Sequence, residues 1–278
     1  MVYCTCQLQL TYNLKGSIIN MSNEKLNNDV LRSFLVENAD YEGCFELPKL
    51  KTSTLLPEKV ITFSKAMARN FKDFDCFVIF YEDDEKFERL WHNPKAYLNK
   101  LKKFKGIISP DYSMYRNMPL CMQIWNTYRG RALAVWLQNN GVEIIPNVRF
   151  GDERTFSFCF DGIEENKTVA IGTHGCIKRK EDKLFFKAGL AQMVQRLKPE
   201  TIIVYGSAPD SIFKPYKDMG INIIAFESEF SKSRKRGIVK TRFFLLAMVV
   251  NHCSLFSRFF LSKSKNTFRF CFYSGIPL

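Results

Sequence analysis

Strand-like runs separated by helix-like runs recur along this chain at intervals of roughly 20–35 residues, and that alternation restricts the possible folds. The run Asp75–Tyr81, DCFVIFY, is almost continuously apolar, β-branched or aromatic. Such a run suits a strand buried on both faces of a parallel sheet. Comparable runs lie at 106–110, 142–149, 168–173, 201–207 and 221–227. The expected fold is therefore α/β, a mostly parallel sheet with alternating helices, TIM-like or an incomplete barrel. An open doubly wound sheet is the alternative. A closed barrel needs eight strands. The short runs Cys44–Lys51 and Val60–Phe63 are candidates for the remaining two, and Thr155–Phe160 reads as a further extended segment.

The intervening segments carry helical signals. Acids open DDEKFERLW, Pro94 interrupts it, and KAYLNKLKKF resumes; acids favour a first turn and proline ends one. In PLCMQIWNTYRGRALAVWLQNNG, Cys121, Trp125, Tyr128, Ala132 and Trp136 share one helical face, and Asn140-Gly141 stops the helix. FFKAGLAQMVQRL places Phe186, Leu190, Val194 and Leu197 inward and ends near Pro199. A shorter helix from Asp210 carries Phe213 and Tyr216 and ends at Gly220.

The formal net charge of +13 invites a nucleic-acid partner, yet from Ser231 onward there are ten Lys or Arg and no Asp or Glu. The rest holds 31 basic and 28 acidic residues. Most of the excess sits in the tail. Nine scattered cysteines, with no C-x-x-C pair, fit neither a disulfide framework nor a zinc knuckle. A reducing, cytoplasmic setting is expected, and the opening residues lack the pattern of a signal peptide.

Both ends differ from the middle. Residues 1–20 hold one charged residue, Lys15, and are read as a doubtful extension, with Met21 as initiator; an edge strand at Cys6–Tyr12 is the alternative. Residues 21–236 are expected to form one α/β domain. Residues 237–278 form an atypical basic and hydrophobic tail whose abrupt loss of acids suggests non-native sequence. Its run Phe243–Leu261 has the length of a membrane span, but Arg258 and four other polar residues interrupt it, so membrane association is not expected.

Several ordered blocks carry a family resemblance: FVIFYEDDEKFERLWHNP, the stretch from GIISPDYSMYRN to NVRFGDERTFSFCFDGI, TVAIGTHGCIK, and LKPETIIVYGSAPDSIF with GINIIAFESEFS. Over about residues 41–236 the chain resembles an uncharacterised domain family found in bacterial, phage and plasmid genomes. The resemblance implies a mobile-element or Gram-positive bacterial setting. It implies no activity.

In parallel α/β proteins, ligands bind beyond the carboxyl ends of the strands, and polar residues collect there in this chain. His174, in AIGTHGC, suits proton transfer near neutral pH. A structural capping role is its plainer reading. Cys176 is a nucleophile if His174 activates it, and otherwise a small buried filler. Asp111 is a general base, a metal ligand or an Asx-turn residue. With Glu227 and Glu229 it could hold Mg²⁺. Arg149 is a candidate anion clamp, or a salt-bridge partner of Asp152 or Glu153. Ser207 could receive an anion at a strand-to-helix turn, or act as an N-cap. Asn147 and Tyr112 are further candidate substrate contacts, and the loop DYSMYRN, with Tyr112 and Tyr115, a candidate substrate wall. No Walker, dinucleotide, H-E-x-x-H or G-x-S-x-G motif is present.

Two functions follow. The first is an enzyme acting on a small phosphorylated or nucleotide-like compound, with His174, Asp111 and Glu227 as catalytic groups. The alternative is a nucleic-acid-binding or replication-associated protein of a phage, plasmid or other mobile element, contacting phosphate through Lys232, Arg234, Lys235 and Arg236. The decisive observation is whether Asp111, Arg149, His174 and Glu227 meet around one cavity.

Overall fold

A computed structural model describes residues 29–229 together with Ser231 and Ser233. The expectations for residues 1–20, for Met21, for Lys232 and Arg234–Arg236, and for 237–278 fall outside the described residues. The described chain is α/β. A small antiparallel pair, β1 (Tyr41–Glu42) and β2 (Leu47–Pro48), precedes the main strands. These are β3 (Val60–Thr62), β4 (Phe77–Ile79), β5 (Gly106–Ile108), β6 (Ile144–Ile145), β7 (Thr168–Gly172), β8 (Thr201–Tyr205) and β9 (Asn222–Phe226). The helices are α1 (Phe63–Ala66), α2 (Glu88–His92), α3 (Lys95–Leu101), α4 (Leu120–Asn139), α5 (Lys180–Leu197) and α6 (Asp210–Asp218).

Strands β3–β6 form a four-stranded parallel sheet and β7–β9 a three-stranded one, each ordered as in the chain. Pro146, which has no N–H to donate, ends β6 early. Beyond it Asn147 bridges Ala170 in parallel: Ala170 N–H donates to the Pro146 carbonyl at 2.9 Å and Val148 N–H to the Ala170 carbonyl at 2.8 Å. The two sheets therefore meet at a single bridge. Val60–Thr62 supplies an additional parallel strand, whereas the Cys44–Lys51 run pairs antiparallel outside the main sheets. No closed barrel is present among the described residues.

Side chains alternate across the strands, as period-two geometry requires. Val78, Phe80, Ile107 and Ile144 enter a core shared with α1–α4. Val169, Ile171, Ile202 and Val204 enter a second core, with α5 and α6. The intervening positions Phe77, Ile79, Ile108, Ile145, Ala170, Ile203 and Tyr205 meet in a third core made from the opposite strand faces. Strands covered on both faces explain why their sequences are continuously apolar.

Two helical expectations change. In α4 the expected inward stripe fails at its amino end: Cys121 and Trp125 are exposed, while Gln123 and Asn126 are buried. The β5–α4 loop folds over this end and supplies acceptors to both, Gln123 Nε2 donating to the Met118 carbonyl and Asn126 Nδ2 to that of Ser113, while Gln123 Oε1 has no partner among the described residues. Gly130 suits this crossing, since a Cβ there would stand 3.0 Å from the Pro110 carbonyl oxygen. The 155–160 segment is not extended. Glu153–Ser157 is a 3₁₀ turn, opened by Asp152, whose carboxylate accepts from Arg154 N–H.

Candidate functional site

A cavity of about 830 Å³ opens beyond the carboxyl ends of β4–β7. Each strand contributes through the residues just past its last ladder bond: Tyr81 and Glu82 after β4, Asp111 after β5, Arg149 after β6, and His174 and Cys176 after β7. The start of α5 closes one side with Asp182, Phe185 and Phe186.

At its base lies a buried polar network. Asp111, 8% exposed, accepts from Asn147 Nδ2 at 2.8 Å and from an Arg149 Nη at 3.2 Å. The Asn147 amide oxygen in turn accepts from the Tyr81 hydroxyl at 2.8 Å, and Asn147 N–H donates to Ser109 Oγ. From the helical side, the buried Arg131 guanidinium donates to the carbonyls of Asn147 and Cys159. Tyr81 stacks on Tyr205 with centroids 5.0 Å apart and planes 10° from parallel. The ring passes over Gly172, where a Cβ would come within 2.9 Å of it. A larger residue there would displace Tyr81.

The electrostatics follow from burial and pairing. Burial pushes the Asp111 carboxyl above its ordinary value, against the opposing pull of Arg149 and the Asn147 hydrogen bond. The Asp111 charge holds Arg149 above the usual guanidinium range despite burial. Burial lifts Tyr81 well above the usual phenol range and lowers Arg131 to about 10.

Around this base the wall is acidic. Glu82, Asp83, Asp84, Glu85, Asp111 and Asp182 line the cavity, against Arg116 and Arg149. Many of these charges are engaged. Glu82 accepts from Ser64 N–H at 2.8 Å, Asp84 from the Ser113 hydroxyl at 2.9 Å, and Arg116 reaches Glu181 at 2.9 Å and Asp182 at 2.6 Å while lying 4.2 Å over the Phe185 ring.

Of the four residues whose meeting was decisive, Asp111, Arg149 and His174 line the cavity and Glu227 does not. The paired acid of Arg149 is Asp111 rather than Asp152 or Glu153. His174 is exposed. Gly175 follows it at φ 82, and the turn lets Cys176 N–H donate to the Thr173 carbonyl and the Cys176 thiol to the His174 carbonyl. Burial pushes that thiol up against the pull of Arg149, which favours the filler role over a nucleophile. Asn147 stands behind the cavity, holding Asp111. Tyr112 points toward the helices: it is buried, packs on Phe87, and lies under the Arg129 guanidinium at 3.9 Å. Ser207 is exposed outside the lining, its carbonyl accepting from Thr173 Oγ1 at 2.8 Å, and the residue at the N-cap of α6 is Pro209.

Glu229 pairs with Lys65. Among the described residues no group of three or more His, Cys, Asp and Glu converges as a metal site, so Asp111, Glu227 and Glu229 do not form the cation cluster that was one alternative for them. Sequence reasoning assigned no role to Tyr81, Arg131 or Asp182. Tyr81 was legible, because it continues the parity of Phe77 and Ile79; Arg131 stood out as the one charge in the apolar half of α4.

Parallel strands alternating with helices, with a ligand-sized cavity past their carboxyl ends, define an α/β protein with a pre-formed cleft. The chain belongs to the family described as Domain of unknown function (DUF4417), whose model matches residues 39–227. The sequence resemblance therefore holds, over nearly the range expected. The chain is also 32% identical over 165 residues to the Gene 1 protein of Mycobacterium phage D29, covering 59% of this chain and 61% of that protein. It is equally similar to the Gene 1 protein of Mycobacterium phage L5, covering 72% of that relative. The match thus spans about three fifths of the length of the D29 protein. No solved structure matches. Among the described residues no helix is long and apolar enough to cross a membrane.

Proposed function

We propose that the protein serves a phage or related mobile element by engaging nucleic acid. Kinship with the two phage proteins supports the setting. The observation that carries the reading is a local excess of exposed cations on a nearly balanced body. Carboxylates gather around the cavity at the carboxyl ends of the strands, while exposed lysines and arginines gather where β4 and β5 begin, and again at Lys178–Lys180 past the end of β7. A near-zero sum therefore does not argue against a polyanionic partner. The test is binding of the full-length protein to DNA and RNA at several salt concentrations. Submicromolar affinity that falls steeply with salt is expected; binding that is absent at about 50 mM salt would exclude the reading.

The cavity favours a second reading, a site for a small nucleotide-like ligand. Here Asp111 and His174 supply proton-transfer groups and Arg149 the hydrogen-bonding clamp, with Asn147 fixing Asp111. The acidic wall favours a nucleoside over its phosphate, because a phosphate would meet more carboxylates than guanidinium groups. Thermal-shift measurements with nucleosides, nucleotides and Mg²⁺ test this. Stabilisation by nucleosides that is lost in Asp111→Asn supports it, and no stabilisation by any of them removes it. We further infer that the strands curl into an incomplete barrel. Support comes from the shared inner core, against which Val60 of β3 and Ile224 and Phe226 of β9 both pack, and from the Lys65–Glu229 pair joining residues just beyond those strands.

A further inference from the structure

We propose that the rim at the amino ends of β4 and β5 is a phosphate-backbone contact surface centred on Arg69, Lys72, Lys102 and Lys103, a placement that rests on the nucleic-acid reading above. Two segments build this rim, 67–75 after α1 and 100–105 at the end of α3. Together they carry six Lys or Arg and two carboxylates, Asp73 and Asp75. Both carboxylates are engaged, Asp73 with Lys59 at 3.6 Å and Asp75 with Lys105 at 2.6 Å. Lys100 is engaged too, its ammonium donating to the Ala68 carbonyl at 2.7 Å and tying the segments together. Arg69, Lys72, Lys102 and Lys103 are exposed, and none lies within ion-pair distance of a carboxylate among the described residues.

The platform beneath them is rigid. Phe71, Phe74 and Phe104 pack with centroids 5.1–6.3 Å apart. Lys105 N–H donates to the Phe74 carbonyl at 3.2 Å, and the Lys103 ammonium lies 5.7 Å from the Phe74 ring centroid. A helix end accounts for one cation in its last turn; Lys100 fills that role in α3. It does not account for Arg69 and Lys72 on a separate segment. The rings pack against one another, and no large hydrophobic of either segment is among the exposed ones. An interfacial membrane site needs an apolar face to insert, so a nucleic-acid backbone fits this rim better than a lipid surface. Contacts to phosphate carry no base information, and binding here is therefore indifferent to sequence.

The test uses the full-length protein and a random-sequence duplex of about 30 base pairs, with affinity measured from about 50 to 250 mM salt. One variant carries Arg69→Gln, Lys72→Gln, Lys102→Gln and Lys103→Gln; a second carries Lys72→Arg, Lys102→Arg and Lys103→Arg; a third neutralises Lys232, Arg234, Lys235 and Arg236. Thermal melting checks the fold of each. We expect the first variant to lose at least about tenfold in affinity and to flatten the logarithmic salt slope by about three, with the charge-preserving variant matching the parent and the third retaining most binding. If the parent binds and the first variant binds equally with an unchanged slope, this placement is overturned and the nucleic-acid reading stands. If the parent binds no nucleic acid, the reading itself fails. Preference for vesicles containing phosphatidylserine over duplex overturns both.

Discussion

The carboxyl and amino ends of one set of parallel strands treat charge differently. At the carboxyl end Asp111, Arg149, Asn147, Tyr81 and Arg131 are linked through buried or half-buried hydrogen bonds. At the amino end Lys59, Asp73, Asp75 and Lys105 pair in the open, beside cations that have no carboxylate within ion-pair distance among the described residues. Charges removed from water must be matched to be tolerated, whereas exposed charges need no partner and remain available to one from outside. The first arrangement suits the positioning of a small ligand. The second suits reversible, salt-sensitive contact with a polyanion.

The sharpest way to break this comparison is to remove Asp111. Asp111→Ala leaves Arg149 and the Asn147 amide without their acceptor. Breaking one side of a buried pair is strongly destabilising, and because Arg149 keeps about a quarter of its exposure we expect a loss of about 3 kcal/mol, at the low end for such pairs. Urea unfolding measures it. A loss within experimental error would mean that the network contributes nothing to the fold.

The next largest effect depends on pH. Burial raises the folded value of Asp111 above its unfolded one, so the native protein holds that proton more tightly than the unfolded chain. Its contribution to stability is therefore most favourable below the ordinary carboxylate value and declines as pH rises through the folded one. Arg149 limits that decline. Arg149→Leu should cost on the order of 2 kcal/mol near pH 7, and the cost should shrink as pH falls through the folded value of Asp111, where the carboxyl takes up its proton. A cost independent of pH would show that Arg149 acts by packing alone.

The alternation of strands and helices was legible because it follows from two periodicities, and so was the convergence of Asp111, Arg149 and His174 past the strand ends. The amino half of α4 was not legible from its own pattern. Its polar residues are buried by a loop earlier in the chain, and the fold of that loop is not encoded in helical spacing. The place of Glu227 and Ser207 outside the cavity was hidden for a similar reason: a strand end shows where a residue begins, not which way the following turn carries it. The amino rim was missed because overall net charge averages away its local excess.

Thiol reactivity sharpens the contrast between inside and outside more gently. Burial pushes Cys76 up to about 11 and Cys159 up to about 12, and also raises Cys176. Cys44 and Cys121 are exposed. With iodoacetamide near pH 8, mass spectrometry should find, among the five described cysteines, Cys44 and Cys121 labelled first and Cys176 roughly tenfold or more slower, with Cys76 and Cys159 labelled after unfolding. Rapid labelling of Cys176 would restore the case for a nucleophile at the cavity.

The smallest effect on stability is expected at the amino rim, where it separates the two ends most directly. Asp75 is exposed, and its hydrogen bond and ion pair with Lys105 hold it below the usual carboxylate range. Exposed pairs of this kind contribute little and are screened by salt. Asp75→Asn should leave the urea midpoint where it was. It also releases Lys105 to the rim, so duplex affinity should rise and the logarithmic salt slope steepen by up to about one. Removing a carboxylate would then weaken the fold at one end of the strands and strengthen binding at the other. If Asp75→Asn instead lowers the midpoint and leaves binding unchanged, the carboxylate is structural, and the distinction between matched and available charge does not describe this rim.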